Sequence, residues 1–364
     1  MGVSFSKLQI LFLLLLSLGI SNHVLIIPHL LQAAKRDAWF SILIAYLALI
    51  VWSLFLYLIL KSMRKLSFTD WLMGRAGKLG TWIISGFFVL YLLAAGIMIV
   101  FDTTMNVNIY LLPDTPNFIV ILCFIFLSYS AASSGLKTLV YMSTMLLPTV
   151  WLLGIGVSVM TASSKDYGML RPFLKEGFGS ELFGGVIVFG GSIDLFVLLL
   201  IQHKMSKPMN YTTLFLLLTL LVGLILGPTL GATAVFGPYQ AANLRFPAFE
   251  QWRLVMIGSN ISHVDFLAAF QLMAGSILRT GLMIHLLCEL IGGRSPLHRQ
   301  TVMIIGAAIL SIPSLLEFSD IKMQGIIHNY FYTYSLWFGV IFTAVLFMIT
   351  FVPQRKGDSN ESVA

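Results

Sequence analysis

From Leu8 to Leu31 the sequence is an almost unbroken apolar run, and further runs of similar length follow it as far as Val352. A helix that spans a bilayer needs about 20 such residues. Turn and charge signals bound ten runs, near 8–32, 39–61, 82–110, 117–134, 138–161, 182–203, 211–235, 264–290, 300–316 and 331–352. Lipid offers the backbone no hydrogen-bond partners, so such runs must be helical. The expected fold class is an all-α polytopic membrane protein with ten transmembrane helices, forming a single integral membrane domain over residues 1–364. Composition agrees, since 58% of residues are hydrophobic and 10% charged, and the mean hydropathy is +0.92, far from a soluble chain.

Two runs are interrupted. Gly19, Ile20, Ser21, Asn22 and His23 break the first, and Phe189, Gly190, Gly191, Ser192, Ile193 and Asp194 break the sixth. A helix broken at membrane depth must face protein or a water-filled cavity, and paired breaks in corresponding halves are the mark of a transporter-like site. Ten spans with spans one and six broken fit two inverted five-helix repeats, about 8–161 and 182–352, because an odd number of spans reverses the second repeat. Residues 353–364 form a polar tail. Phe236 to Ser262 is too polar to span, and Phe246, Pro247, Phe249 and Trp252 suggest a short amphipathic helix at the outer interface.

Orientation follows from Lys and Arg. The N-terminus, the even-numbered loops and the tail hold 13 of them, the odd-numbered loops 8. Both termini, tail included, are therefore expected in the cytoplasm. The net charge of +7 is spread between apolar runs as topology-setting charge, which argues against nucleic-acid binding. Lys7 precedes an apolar run without a cleavage site, so the first run reads as a retained span. Cys123 and Cys288 suggest neither a disulfide framework nor a metal cluster. No Walker loop, nucleophile elbow, zincin motif or dinucleotide fingerprint occurs, so no enzyme and no cofactor is expected.

The chemistry is expected at the breaks. A half-helix starting near Ser21 and Asn22 would offer free N–H groups to a carboxylate, and the carbonyl end near Leu18 and Gly19 would suit an ammonium or a cation. Phe189 to Ser192 would supply the same pair of ends, so Gly19, Ile20, Ser21, Asn22, Phe189, Gly190, Gly191, Ser192 and Asp194 form the candidate ligand site for a zwitterion such as an amino acid. The competing account is that Gly19, Gly190 and Gly191 only allow helices to pack closely. Asp194 either follows an N-cap at Ser192 or meets a substrate amine or coupling proton. Arg279, midway in span eight near Ser276 and Thr280, needs a partner or a gating role. Asp102, like Arg279 and Ser276, is a candidate for gating or an ion pair, the competing account being a solvated helix end. His29, His203 and His285 read as core or interfacial residues.

Ile20-Ser21 through Pro28, followed by Ala34, Asp37, Ala38 and Trp39, resembles the spore germinant receptor B subunits, the GerAB/GerKB group of spore permeases. So does Phe236-Gly237 followed by Leu244, Phe246-Pro247, Arg253, Ile257 and Gly258, and the resemblance covers nearly the whole chain. Ala38-Trp39 and the Phe-Pro segment are its most diagnostic parts. Where many members carry an acidic-basic pair and then Asp, this chain reads Ser262-His263-Val264-Asp265 and keeps only Asp265.

The resemblance implies the leucine-transporter-type fold of the amino acid, polyamine and organocation superfamily. It also implies a multi-pass subunit of the bacterial cell membrane or spore inner membrane that senses an amino acid or related nutrient. Its implied partners are a receptor A subunit, a lipoprotein C subunit and the lipid bilayer. Two alternatives stay open: a proton- or cation-coupled amino acid transporter of the same fold, and a scaffold subunit whose ligand site is degenerate.

Overall fold

The computed structural model describes residues 4–172, 174–175, 177–256, 264–292, 295–316 and 318–354. Among the described residues the chain is almost entirely helical, without a strand beyond an isolated bridge between Phe5 and Met205. Seven helical stretches are long and apolar enough to cross a membrane, and Asn117–Ser133 is a shorter apolar helix.

Helices α1 (Lys7–Ile20), α2 (Ile26–Ala34) and α3 (Ala38–Met63) form one stretch of 57 residues. Straight, it would measure about 85 Å, far beyond a bilayer, and the chain turns at Lys35, whose φ is +43°. Ser6 starts α1 with a capping box: its hydroxyl accepts from the Gln9 amide at 3.2 Å and the Gln9 side chain accepts from the Ser6 amide at 2.9 Å. Helix α4 (Phe68–Tyr110) is longer than its predicted span because a helical stretch from Phe68 joins it across Gly77, whose φ is +71°. After α5 (Asn117–Ser133) and α6 (Leu136–Met160) comes the most enclosed part of the bundle, α7 (Phe178–Ser192) and α8 (Val197–Ile201). The chain ends with α9 (Tyr211–Phe236), α10 (Pro238–Asn243), α11 (Pro247–Arg253), α12 (Phe266–Ile291), α13 (Pro296–Leu315), α14 (Asp320–Ile326) and α15 (Tyr332–Thr350).

The interruption in the first run is not an unwound break. Ser21–Leu25 form a π-helical turn with Ile20 and Ile26 in ordinary helical geometry on either side. A π turn keeps backbone N–H groups paired while shifting the register, and in apolar surroundings that avoids the cost of free groups. The expected half-helix N-terminus with open amides is therefore absent at Ser21 and Asn22. In the sixth run α7 continues to Ser192, and Ile193–Phe196 tighten into a 3-10 turn before α8. Ser192 is not an N-cap, since its hydroxyl donates to the Val188 carbonyl at 2.8 Å.

The polar stretch after α9 carries the short helices α10 and α11. Phe246, Phe249 and Trp252 are buried against the protein, with Tyr110 packed on Phe249 at 4.5 Å between ring centroids. Their apolar neighbours include residues of α4 and α6. Ile257, Gly258, Ser262 and His263, and the tail from residue 355, lie outside the described residues.

Candidate functional site

Asp194 stands in the 3-10 turn between α7 and α8, and Arg279 stands midway along α12. They meet in the bundle interior, where Arg279 Nη2 donates to Asp194 Oδ2, and both side chains are buried. Tyr91 of α4 donates to Asp194 Oδ1 at 2.6 Å, and Arg279 Nη1 donates to the Ser17 carbonyl of α1 at 3.3 Å. Four elements thus converge on one ion pair. A charge left alone here would be costly, so each partner holds the other.

Beside the pair is a cavity of about 20 Å³ bordered by Ser21, Tyr91, Gly190, Gly191 and Tyr332. That is room for one water and not for an amino acid. Gly190 and Gly191 also serve packing: a Cβ on Gly190 would stand 2.1 Å from the Tyr332 carbonyl oxygen, and one on Gly191 would stand 2.4 Å from Ile26 Cδ1. Glycine is what lets α7 and α15 touch here.

A second π turn, Ile327–Phe331, immediately precedes Tyr332. The Tyr332 hydroxyl donates to the Leu25 carbonyl at 3.2 Å and so ties it to the first. π turns disturb the regular pairing ladder and recur at functional positions.

The predicted ligand residues divide into groups. Ser21, Gly190, Gly191 and Asp194 share the small cavity with Arg279. Gly19 and Ile20 border a larger cavity instead. Asn22 donates to the Leu221 carbonyl at 3.2 Å, and Phe189 meets Trp52 edge-on at 6.0 Å. Ser276 accepts from Thr103 at 2.9 Å and has no part in the Arg279 pair.

Asp102 is not a solvated helix end, being 1% exposed. It lies about 16 Å along α4 from Tyr91 and binds Arg245 Nη2 from the segment between α10 and α11. Arg245 Nε also donates to Asp320 Oδ2 at 3.0 Å, and Gln324 donates to Asp102 Oδ1 at 3.0 Å. Burial opposes the charge on Arg245, but the Asp102 carboxylate and the bonds to Asp320 more than offset it and hold its pKa above the ordinary guanidinium value. Near Arg245, the His29 ring meets those of His328 and Tyr332, at 5.7 and 5.4 Å between centroids.

Sequence reasoning missed Tyr91, Tyr332, Arg245 and Asp320. A tyrosine hydroxyl inside an apolar run must find a partner when buried, and that signal was available for Tyr91. Arg245 entered only as a loop charge. Asp37, part of the N-terminal resemblance, accepts from the Leu174 and Lys175 amides at 2.8 and 3.0 Å and so fastens the end of the first run to a distant loop. Among the described residues no group of three His, Cys, Asp or Glu could hold a metal.

The family model described as "Spore germination protein", the spore permease family, matches residues 4–319. Spore germination protein XB of Bacillus anthracis is 31% identical over 348 residues, which is 96% of this chain and 98% of the relative. The protein YfkT of Bacillus subtilis (strain 168) is 26% identical over 66% of each chain, and spore germination protein YndE of the same strain is 23% identical over 42% of each. With its long apolar helices and a family match over most of its length, the chain is a multi-pass membrane protein that belongs to the spore permease family of spore germination proteins.

Proposed function

We propose that this protein is the membrane subunit of a spore germinant receptor and binds an amino acid or related small nutrient at the Asp194–Arg279 pair. In this reading its ten spans form two inverted repeats, both termini are cytoplasmic, and it works with a receptor A subunit and a lipoprotein C subunit. The observation that carries it is the ion pair itself, set between the π turn of the first run, the 3-10 turn of the sixth and α12. A zwitterion can replace each partner with a group of the same sign, its carboxylate on Arg279 and its ammonium on Asp194. The small cavity must widen to admit it, and that widening is the signal a receptor can transmit.

Titration calorimetry of the purified full-length chain in lipid nanodiscs against each amino acid tests the reading. The expected result is saturable binding of a few amino acids that Asp194→Asn abolishes per folded molecule. Substrate-driven flux in proteoliposomes would replace the receptor by a coupled transporter, and absence of binding would replace it by a scaffold.

A further inference from the structure

On another face of the first π turn lies a cavity of about 480 Å³, walled by α1, α6, α9 and α12 with α11 across one end. Its volume falls within the roughly 300–1,000 Å³ typical of small-molecule sites. No Asp, Glu, Lys or Arg lines it; its polar side-chain groups belong to His23, Trp151, Ser158, Thr219, Gln251 and Gln271. Gln271 already donates to the Val150 carbonyl at 2.7 Å and Gln251 to the Pro228 carbonyl at 3.3 Å. One charge is close, the Lys165 ammonium, which already donates to the Ser158 carbonyl and hydroxyl at 3.0 and 3.1 Å. An ionised ligand would therefore find no counter-charge in the lining itself, whereas a neutral one with a single polar group would lose little.

Glycines on two walls keep this space open. A Cβ on Gly223 or Gly227, one turn apart on α9, would meet no heavy atom within 4 Å, and one on Gly154 of α6 would meet only Gln271 Nε2, at 3.6 Å. These are unlike Gly190, where the missing side chain is filled by a neighbouring helix. On the α6 wall Ile155 and Val159 are exposed, so the cavity opens sideways toward hydrocarbon. Its floor, Gly19, Ile20 and His23, belongs to or adjoins the same π turn that borders the Asp194–Arg279 pair.

We infer that this cavity is a second binding site, taking an uncharged, mainly apolar small molecule that enters from the membrane and lies against His23. It stands apart from the nutrient reading, since neither charge of the central pair lines it.

The test is photolabelling of the full-length chain, in nanodiscs of dioleoylphosphatidylcholine, with a medium-chain aliphatic alcohol carrying a diazirine. Saturable adducts are expected within residues 147–158 and 219–228, falling about tenfold in Gly223→Leu and in Gly154→Leu, which fill the space from opposite walls. Adducts that do not saturate, or that follow lipid exposure and ignore both substitutions, would overturn the site. So would native mass spectrometry showing a phospholipid that both variants lose without any saturable alcohol labelling, which would assign the space to an acyl chain. Aggregation of both variants would mark the glycines as packing residues and overturn it equally.

Discussion

Asp194 and Arg279 complete each other across the middle of the bundle, and Tyr91 occupies the carboxylate oxygen that the guanidinium leaves free. Removing one member of such a buried pair leaves an uncompensated charge, at a cost of about 3–5 kcal/mol. Arg279→Leu is expected to lower the unfolding temperature and membrane abundance, and Asp194→Leu with Arg279→Leu to recover most of the loss. Thermal unfolding of the unsubstituted protein, Arg279→Leu, Asp194→Leu and the double variant in one detergent checks this; a double variant no better than Arg279→Leu would show that the pair is not what holds the elements together.

Arg245 is a clasp with two carboxylates on one fork. Arg245→Ala should strand Asp102, which is buried, and destabilise the fold by about 3 kcal/mol, while Arg245→Lys should restore little because an ammonium cannot reproduce the bidentate geometry. A cysteine introduced at His29, which lies near Arg245, should react faster with aqueous maleimide in Arg245→Ala than in the Arg245 background. Equal rates would mean that the clasp does not restrict access.

The glycine pair separates by what each neighbour can do. Gly190→Ala drives a methyl into the Tyr332 backbone, which moves only with its helix, whereas Gly191→Ala meets the tip of the Ile26 side chain, which can rotate. Abundance on immunoblots should fall more for Gly190→Ala than for Gly191→Ala. The reverse order would contradict the close approach of α7 and α15.

Topology is open to labelling. Lys78→Cys, in the basic loop before the third span, should be shielded from an impermeant reagent in intact cells lacking Cys123 and Cys288, and Asp114→Cys should react. Reversed reactivity would invert the orientation.

The helices were legible because a bilayer leaves the backbone almost no other choice, and the breaks were legible because Gly, Ser and Asn are conspicuous in an apolar run. What form the breaks take was not. Whether Ser21 to Leu25 unwind or coil into a π turn depends on partners such as Leu221, about 200 residues away, and on Tyr332, which takes the Leu25 carbonyl. The partner of Asp102 was illegible for a related reason: it requires a loop that folds back onto α4, and Arg245 arrives from such a loop. Asp194 and Arg279 were each suspected alone, and their union required the packing of α7 against the rest of the bundle.

A π turn is an α-helix holding one surplus residue. If the first one expelled that residue, α1 would rotate about 100° and slide about 1.5 Å against α2. Such a ratchet step would carry the Ser17 carbonyl away from Arg279 and swing Gly19 and Ile20 off the wall of the larger cavity. Because Tyr332 spans from the second π turn to Leu25 in the first, the two surplus residues are geared to one another. A change of register at either turn would therefore have to break that hydrogen bond or be shared by the other.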